Sequence, residues 1–167
     1  TFLTVVGSEK NMLAFVNDRT PVTLNLKDMT VTGSPSNVQF CDAQRKVATY
    51  NSISKELYDE AMDLSNVQPV EAQTKAETLK KQLEQNENEL TAYIVQMAKK
   101  NKNEVYPAYF LCNQCYSMSY DDLKMCMDTA TVYYHHPLMK MPADMLASLE
   151  LRRPGNMFTD ITLNDAE

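Results

Sequence analysis

Two long amphipathic stretches separated by a short break constrain this chain more than any other feature. The first opens at Ser34-Pro35, a hydroxyl at a helix N-cap with proline in the first turn. It carries Phe40, Ala43, Val47, Tyr50, Leu57, Ala61 and Leu64 at three-and-four spacing. Ser65 to Pro69 interrupts the pattern. The second stretch runs from about Val70 to Lys102, with Ala72, Ala76, Leu79, Leu83, Leu90, Ile94 and Met97 on one face and Asn86 breaking that seam. A short connection between two such helices predicts an antiparallel hairpin. Glu71/Lys75, Glu77/Lys81 and Lys80/Glu84 stand as i,i+4 pairs on its solvated side. Packing against neighbouring helices is the expected use of the apolar faces, with a partner-binding coiled coil as the alternative.

The first 33 residues have a different period. Phe2, Leu3, Val5 and Val6 form one apolar run closed by Gly7-Ser8, and Met12 to Val16 forms a second closed by Asn17-Asp18. Val22, Leu24 and Leu26 alternate with Thr23 and Asn25, and Met29, Val31 and Gly33 end a short fourth run. These read as strands. So small a meander is not stable alone, so it must lean on the helices, on upstream strands or on another chain. Three shorter helices are predicted after the hairpin: about Pro107 to Tyr116, Ser119 to Ala130, and His136 to Arg152 with a kink or restart at Pro142. The fold class is therefore α+β: a small, incomplete antiparallel sheet, a long antiparallel helical hairpin and three shorter helices. Residues 1–33 read as the remnant of a larger β domain and 34–153 as the helical region. Residues 154–167 read as a linker, broken at Pro154-Gly155, that leads into a following domain.

Charge and composition exclude several classes of function. A net charge of −6, with no basic cluster, argues against binding nucleic acid or an anionic membrane. No apolar run reaches the ~20 residues of a membrane span, and no signal peptide is visible. Only Gly7, Gly33 and Gly155 are glycines, so a glycine-rich phosphate loop cannot be built. Neither Gly-x-Ser-x-Gly nor His-Glu-x-x-His occurs. The acidic pairs Asp121-Asp122 and Asp160/Asp165 fall at a helix start and in the tail. No cofactor is implied.

Several landmarks, in order, resemble a known family. They are Asn17-Asp-Arg-Thr-Pro21-Val-Thr-Leu, Val31-Thr-Gly33-Ser34-Pro-Ser-Asn37, Tyr106-Pro-Ala-Tyr-Phe110, and Tyr120-Asp-Asp-Leu123. Tyr133-Tyr-His135-His136-Pro137-Leu and Arg152-Arg-Pro-Gly155-Asn-Met-Phe158-Thr-Asp160 complete the set. Together they resemble the amino-terminal region of envelope thiol-disulfide oxidoreductases of Gram-negative bacteria. In that family a domain of unknown function precedes a TlpA-like (AhpC/TSA-type) thioredoxin domain. The resemblance covers nearly the whole chain, with Phe158 to Asp165 similar to the opening strand of the thioredoxin-like part. It implies a periplasmic or cell-envelope setting, a lipoprotein-type signal upstream, and a redox parent whose tryptophan-flanked Cys-x-x-Cys lies downstream. This chain contains no tryptophan. The implied role is accessory and non-enzymatic: positioning the downstream domain, or binding client proteins or a second copy.

Cys112-Asn-Gln-Cys115 is the one redox-like motif here. An attacking thiolate is usually made at a helix amino terminus. With a helix start near Pro107, Cys112 falls in the second turn. Leu111 precedes it where the family's redox site has tryptophan. The plainer expectation is packing cysteines on one helical face, with Cys41 and Cys126 on other helices and disulfide pairing among the four left open. A soft-metal or zinc site is the alternative. It would draw on Cys112, Cys115, Cys126, His135 and His136, with Met118, Met125, Met127, Met139 and Met141 nearby in sequence. Adjacent histidines directly before Pro137 suit capping better than ligation. The eleven methionines, concentrated after Met97, suit irregular helical packing.

Overall fold

Ser34 starts the dominant element as its side chain implies: its Oγ accepts the Asn37 N–H, and Pro35 occupies the first turn. The computed structural model describes residues 1–6, 12–64 and 69–154. Helix α1 (Pro35–Asp63) and helix α2 (Pro69–Lys100) form an antiparallel hairpin. Ahead of them stand four strands: β1 (Phe2–Val6), β2 (Met12–Val16), β3 (Thr23–Asn25) and β4 (Thr30–Thr32). After them come α3 (Pro107–Gln114), α4 (Tyr120–Met125) and α5 (Lys140–Leu151), with single 3-10 turns at Cys115–Ser117, Tyr133–His135 and Pro137–Met139. The protein is α+β. The Gly7-Ser8 turn, most of the Ser65–Pro69 break and the strand-like Phe158–Asp165 lie outside the described residues.

The strands do not form one meander. They divide into two antiparallel hairpins, β1–β2 and β3–β4. In the first, Phe2 faces Val16, Thr4 faces Ala14 and Val6 faces Met12. Its free β2 edge is closed by helix side chains. The Asn37 carboxamide accepts the Val16 N–H at 2.7 Å and donates to the Val16 carbonyl at 2.9 Å. Two helical turns further on, Gln44 accepts the Ala14 N–H at 3.2 Å and donates to its carbonyl at 2.8 Å. These amides satisfy backbone groups that a third strand would otherwise pair. The sheet leans on the helices, as its size requires.

The main core gathers Ala14 and Val16 with Phe40, Ala43, Leu90, Ile94, Ala98, Phe110 and Leu111. Phe2 docks β1 against it, with ring centroids 5.6 Å from Phe40 and 5.7 Å from Tyr109. A smaller cluster of Leu13, Val31 and Cys41 seats the second hairpin. That hairpin enters α1 through Gly33, whose φ of +101° is left-handed. A Cβ there would stand 2.3 Å from the Pro21 carbonyl oxygen.

Beyond the core, the helical hairpin continues as a two-helix arm. Its seam buries Leu64 and Leu79, but Tyr58 and Met62 are exposed. Asn86 is buried in that seam, and its Nδ2 donates to the Tyr50 carbonyl and to Ser54 Oγ, both at 2.9 Å. Of the expected surface pairs, Lys80–Glu84 forms at 3.9 Å. Lys75 instead reaches across the hairpin to Glu60 at 2.9 Å, because the partner helix brings a carboxylate closer than its own turn does.

The short helices are trimmed relative to their sequence patterns. Ser119 caps α4 by accepting the Asp122 N–H, but the helix ends at Met125 rather than near Ala130. Asp128 takes over there: its side chain accepts the Ala130 N–H and its carbonyl accepts Thr131 Oγ1–H, turning the chain. Pro142 is a restart and not a kink. It sits buried in the first turn of α5, where its missing N–H costs nothing.

Candidate functional site

The residues singled out for chemistry sit on α3, α4 and the turns before α5. Pro107 begins α3 within a buried Tyr106-Pro107-Ala108 entry, and Cys112 is the sixth helical residue. Its sulfur is therefore past the first turn, where the field of the helix amino terminus is strongest. Cys115 lies one turn on, fully buried, with its Sγ–H directed at the Cys112 carbonyl at 3.4 Å. Burial pushes both thiols up from their ordinary value, and the neighbouring Cys112 sulfur raises Cys115 further. A nucleophilic pair needs the opposite shift.

Cys126 is fully buried at the end of α4 in the same core, and burial pushes its thiol up to about 11. Cys41 belongs to the smaller cluster near the strands, where its Sγ–H meets the Met29 carbonyl at 3.1 Å. All four cysteines are free thiols. Cys115 and Cys126 thus share the core, Cys112 reaches its edge, and Cys41 stands apart.

The histidines have structural partners. His135 Nε2 is 3.0 Å from the Thr129 carbonyl oxygen. His136 caps the following 3-10 turn, its Nδ1 accepting the Leu138 N–H at 3.2 Å. The His136 ring meets Phe2 edge-on at 5.0 Å, and burial lowers its pKa. The methionines scatter in the same way. Met118 and Met139 are buried core residues, Met127 is half-buried, and Met125 and Met141 are exposed. Among the described residues, no three His, Cys, Asp or Glu side chains converge as a metal-ligand set.

Concave surface among the described residues includes three clefts beside the features already named. Cys112 opens onto a cleft of about 570 Å³ between α3 and α5, walled by Tyr116, Leu138, Met141, Met145 and Arg152. A groove of about 950 Å³ runs between the strands and the helices past Met12, Met29, Arg45, Tyr109 and Gln114. The arm carries a groove of about 520 Å³ along Leu57, Ala61, Ala76 and Leu83. Sequence reasoning did not find the closure of β2 by Asn37 and Gln44. Asn37 lies three residues before Phe40 and Gln44 one residue after Ala43, and nothing in that spacing identifies a strand as their partner.

No protein-family model, curated protein or solved structure matches the chain. No helix among the described residues is long and apolar enough to cross a membrane.

Proposed function

We propose that this chain is a non-catalytic interaction region of an envelope thiol-disulfide oxidoreductase. It would hold or restrict a downstream thioredoxin-like domain, or present surface to client proteins or to a second copy. The setting of Cys112 and Cys115 carries the non-catalytic part of this reading. Their pair lies beyond the first turn of α3, Cys115 is fully buried, and both thiols are shifted away from ionisation. The α1–α2 arm supports the interaction part, since it exposes Tyr58 and Met62 on a helical hairpin. The redox parentage and the envelope location rest on the ordered sequence landmarks alone.

The test is insulin-disulfide reduction driven by dithiothreitol, run with the purified chain and with a Cys112→Ser/Cys115→Ser variant. Neither is expected to exceed dithiothreitol alone. Turnover by the chain that disappears in the variant would make Cys112-Asn-Gln-Cys115 a working redox pair and overturn the reading.

A further inference from the structure

The two edges of the β1–β2 hairpin are treated differently. On the β2 side, Asn37 and Gln44 occupy the outward backbone groups of Val16 and Ala14. On the β1 side, no other strand among the described residues pairs with it. The Asn17 N–H bonds the Thr1 carbonyl at 2.9 Å, which sets the phase of the ladder. Hydrogen-bonded and non-bonded pairs alternate along an antiparallel ladder. Leu3 and Val5 therefore direct their N–H and C=O groups toward β2, and Phe2, Thr4 and Val6 direct theirs outward. Among the described residues those outward groups have no strand partner and form an open edge.

The side chains do nothing to protect that edge. Residues 1–6, Thr-Phe-Leu-Thr-Val-Val, include no charged side chain and no proline, although the whole chain carries −6. Leu3 is 42% exposed and Val6 is 63% exposed. Natural edges are usually blunted by lysine, proline or a bulge, so a bare β-branched edge is a pairing surface.

We propose that β1 pairs antiparallel with β1 of a second copy about a two-fold axis at Thr4. Thr4 then faces its own mate, Phe2 faces Val6, and Leu3 faces Val5. Its three hydrogen-bonded pairs, Phe2–Val6, Thr4–Thr4 and Val6–Phe2, each exchange two N–H···O bonds. The resulting sheet runs β2–β1–β1–β2, and each of its outer edges is already closed at Val16 and Ala14 by Asn37 and Gln44. A second copy is the occupant that the hairpin itself specifies. Its edge has the same length, the same apolar chemistry and no opposing charge, and the pairing ends at a dimer and does not propagate into a fibre. The contact is narrow, below the size of an obligate interface, so the dimer is weak and concentration-dependent. This names one partner for an interaction region and does not depend on the redox parentage, because its readouts are mass and cross-linking and not disulfide exchange.

The experiment is sedimentation equilibrium of the full chain across the high-micromolar range, alongside Thr4→Pro. Proline at position 4 removes only an outward N–H, so the hairpin's own ladder survives, and circular dichroism reports folding. Wild type is expected to approach dimer mass and the folded variant to remain monomeric. Single added cysteines then test the register in a Cys112→Ser background, where the remaining Cys41, Cys115 and Cys126 are buried. A directly opposed hydrogen-bonded pair has Cα atoms about 5.5 Å apart, within disulfide range. Under mild oxidation Thr4→Cys should give a cross-linked dimer, whereas Val6→Cys, which faces Phe2 and not itself, should not. Wild type that stays monomeric, Thr4→Pro that dimerises equally, or cross-linking at Val6→Cys in preference to Thr4→Cys would each overturn the proposal.

Discussion

The Asn37 side chain serves Val16 as a strand would, accepting its N–H and donating to its carbonyl across 21 residues of sequence. Asn37 is 1% exposed and Val16 is 8% exposed, so water cannot substitute for either bond. The first hairpin is therefore held by one buried amide as much as by its apolar contacts.

Asn37→Ala leaves the N–H and the carbonyl of Val16 unsatisfied in the interior. A buried polar group without a partner costs about 1–3 kcal/mol. The expected loss is on the order of 2–4 kcal/mol in urea denaturation. Asn37→Asp keeps an acceptor for the N–H but opposes an oxygen to the Val16 carbonyl, and should be no better than alanine at neutral pH. Stability within error of wild type in either variant would show that this bonding is dispensable.

Gly33 is the second sensitive point. A side chain there must adopt φ near +101° and must also displace the Pro21 carbonyl, whose oxygen would lie 2.3 Å from the new Cβ. Gly33→Ala is expected to cost at least about 1–3 kcal/mol from the backbone alone, seen as a lowered thermal midpoint. Met29 and Arg19 also have positive φ, at 51° and 67°. Arg19 is exposed whereas Met29 packs against the smaller cluster, so Arg19→Gly should be neutral or mildly stabilising, giving a control of opposite sign.

Asn86 should separate stability from register. Removing it as Asn86→Ala strips Ser54 Oγ of a partner, for an expected cost of about 1–2 kcal/mol. Asn86→Leu replaces the polar group by an apolar one in an apolar seam and should be neutral or stabilising. It should also loosen the pairing of the two helices, because a single buried amide fixes register in such seams. Amide hydrogen exchange along 50–90 should then broaden or quicken in the leucine variant despite its equal or higher melting point.

Cys126 predicts alkaline sensitivity. Its folded pKa is pushed up to about 11 from 9.0 by burial. Below 9 both folded and unfolded chains keep the proton, so this thiol adds no pH dependence. Between about 9 and 11 the unfolded chain releases a proton that the folded chain retains, so stability falls as pH rises. The slope approaches about 1.4 kcal/mol per pH unit. Comparing denaturation midpoints at neutral pH and about pH 10, Cys126→Ala should show a shallower decline than wild type. Parallel declines would assign the effect elsewhere, first to Tyr106, which burial raises to about 12.

Much of this was legible in the residues because it depends on local rules. Ser34-Pro35 and Ser119 mark helix starts wherever they meet an apolar period, since capping uses only neighbouring backbone. The three-and-four spacing from Phe40 to Leu64 and from Ala72 to Met97 specifies two helices and a hairpin for the same reason. The position of Cys112 in its second turn also followed from the helix start. The early end of α4 did not, because Asp128 closes the turn with bonds that compete with helix and that composition does not rank.

The sequence by itself determined the α+β order, the helical hairpin and the second-turn position of Cys112, and it left open whether the four thiols pair, which the structure shows free. Only the tertiary structure decided that the strands split into two hairpins, that Lys75 pairs with Glu60, and that His135 and His136 are occupied by Thr129 and Leu138. It alone also decided that β2 is closed at Val16 and Ala14 by Asn37 and Gln44 while β1, among the described residues, has no strand beyond β2. The reason is range. Periodicity and capping are read within a few residues, whereas a strand edge is closed or left open by groups that only packing brings within hydrogen-bond distance.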